Sequence, residues 1–224
     1  MSYFITGTDT GVGKTLISCA LLHGFAARGL RVVGMKPVAA GCADGVPHDD
    51  VRQLRAASNV LASGGQINPY CLAHAVAPQL AAQFIGISIN FARILESFSE
   101  LNALADMVIV EGVGGFRVPL NAAEDGADLA QQLGVPVILV VGMRLGCLNH
   151  AFLTVEAIAA RGLTLAGWVA NVLDARMEML DENIALLRQR IKAPLLGVIP
   201  CQAQPDAREF SALLDLTLLE QMLG

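Results

Sequence analysis

Short runs rich in Val, Ile and Leu alternate along the chain with segments of helical length, and this alternation predicts buried strands separated by helices. The predicted strands are 3–6, 31–36, 107–110, 137–141, 165–170 and 195–199. The predicted helices are 14–28, 49–58, 89–105, 126–133, 149–161, 176–191 and 207–222. Gly29, Gly134 and Gly162 follow three of these helices, where glycine commonly ends a helix. The pattern predicts an α/β fold with a mostly parallel sheet and helices on both faces.

Composition narrows the class of protein. Hydrophobic residues make up 54% of the 224 residues, but the most apolar stretch, 134–143, is far shorter than the roughly 20 residues of a membrane-spanning helix. The first predicted strand begins within three residues of the start, which leaves no room for a signal segment, so we expect a cytoplasmic protein that does not bind a membrane. The net charge of −5 argues against a broad basic surface for nucleic acid.

The chain shows neither a linker between domains nor a cysteine motif. No repeat, charge block or low-complexity linker interrupts the chain, so residues 1–224 are predicted to form a single domain. The five cysteines are scattered and include no C-x-x-C pair, so neither a disulfide framework nor a zinc site is indicated. We expect all five to be reduced thiols.

A glycine-rich segment, residues 7–15, directly follows the first predicted strand and ends in Gly-Lys-Thr. A strand, a flexible loop and a helix in this order build a nest of backbone N–H groups around a polyphosphate. The spacing is Gly-x5-Gly-Lys-Thr, one residue longer than the common P-loop pattern. We predict a P-loop NTPase-like fold in which the N–H groups of residues 11–15 hold phosphate oxygens. Lys14 would bridge the β- and γ-phosphates, and Thr15 would coordinate Mg²⁺.

Lys36 stands at the end of the second predicted strand and is followed by Pro37. Ligand sites in parallel sheets form at the carboxyl ends of strands, so Lys36 is predicted to face the phosphates from the side opposite Lys14. The alternative is a solvated lysine at a strand end.

Carboxylates at two further positions complete a predicted Mg²⁺ site. Glu111 follows the strand 107–110, and Asp49 and Asp50 begin a predicted helix. Acidic residues also favour the first turn of a helix for purely electrostatic reasons, so a structural role for the aspartates is an open alternative. Because Mg²⁺ often combines one or two carboxylates with phosphate oxygens, Thr15, Glu111 and one of the two aspartates supply a suitable set.

Several segments resemble the dethiobiotin synthetase family, and the likeness runs through nearly the whole chain. They are 7–15, Lys36-Pro37-Val38-Ala39, Asn68-Pro69-Tyr70, 110–115, 136–142, 145–151, 163–171, 194–197 and Ile199-Pro200. The resemblance implies ATP- and Mg²⁺-dependent carboxylation and ring closure of 7,8-diaminononanoate with CO₂ to dethiobiotin, with release of ADP and phosphate. It implies a route through a carbamate and a carbamic–phosphoric anhydride. It also implies a homodimer with the substrate site at the interface.

The resemblance assigns roles to individual residues. It implies the catalytic residues Thr10, Lys14 and Lys36, and the Mg²⁺ ligands Thr15, Asp50 and Glu111. Asp50 is preferred to Asp49 because it aligns with the family's aspartate ahead of a helix. It implies nucleotide contacts from Gly11, Val12, Gly13, Lys14, Thr15, Leu16, Asn171 and Pro200, with Asn171 reading the adenine edge. It implies substrate contacts from Lys36, Ala40, Gly114, Gly146, Cys147, Leu148 and Asn149.

The chain departs from the family pattern at two positions. Gly11 stands where many family members carry glutamate, and Ala40 where they often carry serine, which removes possible contacts to substrate or phosphate.

The main alternative is a ParA-like ATPase switch that acts through protein or DNA partners. Members of that branch carry a signature lysine where this chain has Asp9. A cobyrinic or cobyric acid amidase-type synthetase would need a glutamine amidotransferase domain, for which 224 residues leave no room.

Overall fold

A computed structural model describes residues 1–42 and 46–220. Its strands are β1 (Ser2–Gly7), β2 (Val32–Met35), β3 (Val38–Ala40), β4 (Tyr70–Leu72), β5 (Met107–Glu111), β6 (Val137–Met143), β7 (Leu165–Val172) and β8 (Leu195–Ile199). Six of them form the central sheet in the order β2-β5-β1-β6-β7-β8, with every neighbouring pair parallel. The strands β3 and β4 pair in parallel as a separate small sheet. The predicted α/β class with a mostly parallel sheet is confirmed.

Helices connect the strands. They are α1 (Lys14–Ala27), α2 (Asp49–Ala57), α3 (Gly64–Ile67), α4 (Pro78–Phe84), α5 (Phe91–Leu104), α6 (Gly126–Leu133), α7 (Cys147–Ala160), α8 (Leu180–Arg190), α9 (Ala207–Phe210) and α10 (Thr217–Glu220). Gly29, Gly134 and Gly162 have the positive φ angles, 85°, 65° and 68°, that favour glycine after a helix. No helix in the described part of the chain has both the length and the apolar character needed to cross a bilayer.

The predicted helix 207–222 is wrong as one continuous helix. The segment consists of α9, a 3₁₀ turn (Ser211–Leu213) and α10, and residues 221–222 lie outside the described residues. Asp215 interrupts it, because its N–H donates to the Leu196 carbonyl at 2.8 Å and its carboxylate accepts the N–H of Thr217 at 3.1 Å. This break lets Leu214 and Leu216 pack into the core.

The core lies on both faces of the central sheet. Successive side chains of a strand point to opposite faces. Tyr3 and Ile5 of β1 therefore pack in one cluster with apolar residues of α1, whereas Phe4 packs on the other face with residues of α5 and α6. A third cluster joins α7 and α8 around the fully buried Trp168. The predicted helices on both faces are confirmed.

The small sheet carries a disulfide that the cysteine spacing does not predict. Cys42 and Cys71 are joined, with their Cα atoms 6.0 Å apart and a sequence separation of 29. The expectation of five reduced thiols is wrong for this pair, whereas Cys19, Cys147 and Cys201 are free. The physical reason is the pairing of β3 with β4, which brings residues distant in sequence side by side.

Candidate active site

The loop between β1 and α1 depends on two glycines with positive φ. Gly11 and Gly13 have φ angles of 73° and 92°, a region that favours glycine because it lacks a Cβ atom. A Cβ on Gly13 would lie 2.2 Å from Nδ2 of Asn171, so the space admits no larger residue without a shift. The loop turns tightly into α1, where Ile17 donates its N–H to the Gly13 carbonyl at 3.1 Å.

A cavity of about 390 Å³ opens beside this loop, at the carboxyl ends of β1, β2 and β5. The predicted site residues that line it are Thr10, Gly11, Gly13, Lys14, Thr15, Lys36, Ala40, Asp50, Glu111 and Gly114. Ala39, His48 and Val113 line it as well, although no site role was predicted for them. His48 directly precedes the predicted helix, and its Nδ1 accepts the Asp50 N–H as the N-cap of α2. Histidine is not among the residues favoured at this position, so the sequence carried no signal for this role.

Lys36 is buried between two carboxylates. Its Nζ lies 2.5 Å from Oε1 of Glu111 and 2.7 Å from Oδ2 of Asp50, and only 4% of its side chain is exposed. Burial by itself lowers the pKa of Lys36, but the two carboxylates and their hydrogen bonds outweigh it, so the pKa is raised. The same contacts lower the pKa of Asp50 against the opposing effect of its burial. Lys36 is therefore a buried ammonium rather than a solvated strand end.

Lys14 is a second buried cation beside the cavity. Its Nζ donates to the Asp9 carbonyl at 3.1 Å. Burial, with the nearby Lys36 ammonium, lowers the pKa of Lys14 to about 8, although Glu111, Asp50 and Asp9 act in the opposite direction. Two ammonium groups thus meet at one end of the sheet, and such an arrangement attracts a polyanion.

The predicted metal ligands lie together. The hydroxyl of Thr15 donates to Oε1 of Glu111 at 2.8 Å, and Oε2 of Glu111 is buried without a hydrogen-bond partner among the described residues. Asp50 lines the cavity, whereas the carboxylate of Asp49 pairs with the exposed Arg52. Two carboxylates, one with an unsatisfied oxygen, and a hydroxyl fit the oxygen donors that Mg²⁺ prefers. Phosphate and water oxygens would supply the other ligands.

Asn171 and Pro200 do not line this cavity: Asn171 lies on β7, which β6 separates from β1, and Pro200 directly follows β8. Asn171 is buried, and its Nδ2 donates to the Val12 carbonyl at 2.9 Å. Because Asn171 pairs with Ile199, Pro200 follows immediately beside it. The side chains of Val12 and Leu16 pack against the core, so backbone atoms are their available contacts to a ligand. Asn171 thus holds the P-loop in place through a hydrogen bond that the sequence does not predict.

Gly146, Cys147, Leu148 and Asn149 stand apart from the cavity lining. Gly146 is the N-cap of α7 with a φ of 93°, and Cys147 starts the helix two residues earlier than predicted. Cys147 is buried and Asn149 is exposed, whereas the preceding Leu145 is 99% exposed. None of the four lines the cavity beside the P-loop.

Comparison with known proteins places the chain among close relatives. A family model described as an AAA domain matches residues 1–208. The ATP-dependent dethiobiotin synthetase BioD of Nitrosospira multiformis is 55% identical over 96% of this chain and 94% of that protein. The enzyme of the same name from Aromatoleum aromaticum is 56% identical over 96% of this chain and 97% of that protein. The chain belongs to the ATP-dependent dethiobiotin synthetase family.

Solved structures with low sequence identity confirm the predicted fold class. The MinC:MinD cell division complex of Aquifex aeolicus matches with a TM-score of 0.60 at 14% identity, covering 100% of this chain and 96% of that chain. A ParA family ATPase from Chlorobium tepidum matches with a TM-score of 0.56 at 13% identity, covering 98% and 92%. At these identities the likeness concerns the fold alone.

Proposed function

We propose that this protein is an enzyme that makes dethiobiotin from 7,8-diaminononanoate, CO₂ and ATP, releasing ADP and phosphate. The observation that carries the proposal is the cavity beside the P-loop, where two buried ammonium groups face two carboxylates and a hydroxyl in a member of this family. Family membership favours this activity over a ParA-like switch, because the chain resembles ParA ATPases in fold alone.

The reaction requires an anionic carbamate to approach an anionic triphosphate. One substrate amine captures CO₂ as a carbamate, and a carbamate oxygen attacks the γ-phosphorus to form a carbamic–phosphoric anhydride and ADP. The second amine then attacks the carbamoyl carbon, closes the ureido ring and expels phosphate. Such chemistry needs positioning and charge stabilisation rather than a protein nucleophile.

The buried cations are suited to that demand. Lys14 would hold the β- and γ-phosphates, and Lys36 would stabilise the negative charge shared by carbamate and phosphoryl group. Mg²⁺ held by Thr15, Asp50 and Glu111 would neutralise phosphate charge when bound. Lys36 stays protonated in its carboxylate pair, so its charge is in place before the substrates arrive. Thr10, which lines the cavity, would contact the carbamate or the phosphate.

The substrate and base sites extend beyond the cavity. Ala40 and Gly114 line it and would contact the diamine, whereas Gly146, Cys147, Leu148 and Asn149 would receive the substrate carboxylate at the start of α7. Since the residues 146–149 stand apart from the cavity of their own chain, we propose a homodimer in which they serve the partner's site. Asn171 and Pro200 would contact the adenine. A single domain and a cytoplasmic location stay predictions.

The experiment uses the purified chain with ATP, Mg²⁺, labelled bicarbonate and 7,8-diaminononanoate. We expect label in dethiobiotin and release of one phosphate per product. Each substrate is omitted in turn as a control. ATP turnover that depends on DNA or a protein partner, with no label in any product, would contradict the proposed function.

A further inference from the structure

Asp9 lies in the P-loop, and both its carboxylate oxygens and its carbonyl accept hydrogen bonds. Its Oδ1 accepts the N–H of Thr10 at 2.7 Å, and its carbonyl accepts Nζ of Lys14 at 3.1 Å. Its Oδ2 lies 2.5 Å from Nη2 of Arg144. Through Asp9, two residues with proposed catalytic roles are therefore connected to a residue outside the P-loop.

Arg144 belongs to the turn between β6 and α7. Its carbonyl accepts the N–H of Cys147 at 3.0 Å and so closes the turn that leads into the helix. Its side chain and that of Asp9 are both 45% exposed, so the pair lies at the protein surface. The contact spans 135 positions in sequence and joins the P-loop to the segment proposed to bind the substrate carboxylate.

The charge of Asp9 matters because a triphosphate must bind beside it. The field of its carboxylate reaches Lys14, where it acts against the lowering of the lysine pKa. Asp50 and Glu111 already place two carboxylates around the cavity, each in contact with Lys36. Without a counter-charge, Asp9 would add a third carboxylate that repels the nucleotide and is free to draw Thr10 and Lys14 out of position.

We propose that Arg144 is a positioning residue for nucleotide binding, which neutralises Asp9 beside the incoming triphosphate and holds the Asp9–Thr10 peptide in place. The proposal rests on the proposed binding of ATP by the P-loop. It makes Arg144 act through Asp9, without a contact of its own to the phosphates.

The test is a double-mutant cycle on ATP affinity, measured by calorimetric titration with Mg²⁺ present and the diamine absent. We expect Arg144→Gln to weaken the Kd about five- to tenfold, and Arg144→Lys, which keeps the charge, to weaken it less than about threefold. In the Asp9→Asn background, Arg144→Gln is expected to change the Kd by less than about twofold, because the charge that it balanced is gone. Asp9→Asn alone is expected to keep the Kd within about twofold of wild type, because the repelling carboxylate is gone, whereas a merely structural ion pair would make Asp9→Asn as weak a binder as Arg144→Gln.

The matched control is Arg31→Gln, which breaks an exposed ion pair with Asp106 at the amino end of β2, away from the cavity. It is expected to leave the Kd unchanged, and thermal unfolding of each variant checks that it is folded. A wild-type Kd in Arg144→Gln would overturn the proposal. An equal loss with and without Asp9 would also overturn it, since Arg144 would then contact the nucleotide itself. If the wild-type protein binds no ATP, the proposed function fails and this proposal fails with it, which distinguishes that result from the other two.

Discussion

Replacing Lys36 by methionine separates the structural role of its charge from the catalytic one. Met keeps much of the side-chain volume but leaves Glu111, which is 1% exposed, without its cation. Breaking a buried ion pair from one side costs about 3–5 kcal/mol of unfolding free energy, because the remaining charge is uncompensated. For a chain of this size each kcal/mol lowers the Tm by roughly 2–4 °C, so the expected drop is roughly 6–20 °C. Dethiobiotin formation should be lost.

The assay is urea and thermal unfolding of the full chain in EDTA, so that no divalent cation replaces the ammonium. The double variant Lys36→Met with Glu111→Gln removes the unpaired charge and should recover most of the stability, while product formation stays absent. Lys192→Met serves as the control, since Lys192 is exposed. Equal stability of Lys36→Met and wild type would refute the reasoning. A double variant as unstable as the single one would show that packing, rather than charge, carries the effect.

Two further predictions concern protonation and the disulfide. Because burial lowers the pKa of Lys14 to about 8 and a triphosphate favours its charged form, ATP binding should take up a proton and weaken as the pH rises from 7 to 9. Calorimetry in two buffers of different ionisation enthalpy measures the uptake, and a pH-independent Kd without it would contradict the prediction. Cys71→Ser removes the disulfide to Cys42, whose sequence separation is 29, and should lower the unfolding free energy by about 3–4 kcal/mol without reductant. Cys201→Ser removes a free exposed thiol and should leave the unfolding free energy unchanged. Equal urea midpoints for all three proteins would exclude that contribution.

The central strands could be predicted from sequence within about two residues at each end. Strands buried on both faces of a parallel sheet are continuous apolar runs, so that β8 was predicted with the bounds that the structure has. The P-loop, Lys36 and Glu111 could equally be recognised from the sequence, because each stands directly at a strand end. Parallel strands carry their chemistry at one edge, which is why these residues meet in one cavity.

Tertiary contacts decided what neighbouring residues in sequence do not encode. Asp49 is paired with Arg52 and Asp50 with Lys36, an arrangement that favours Asp50 as the predicted metal ligand. The buried hydrogen bond from Asn171 to the P-loop forms because β6 and β7 lie beside β1 in the sheet. The adenine contact of Asn171 stays a prediction.

The sequence by itself determined the class of fold, the glycine-rich P-loop and the set of charged residues at the strand ends. These rest on local periodicity and on motifs shorter than ten residues, whose physical causes act between near neighbours. Only the tertiary structure decided the strand order, the Cys42–Cys71 bond, the break where Asp215 donates to the Leu196 carbonyl, and the pairing of Arg144 with Asp9. Each of these depends on a distance between residues far apart in the chain, which is set once the whole sheet has formed and its faces are covered.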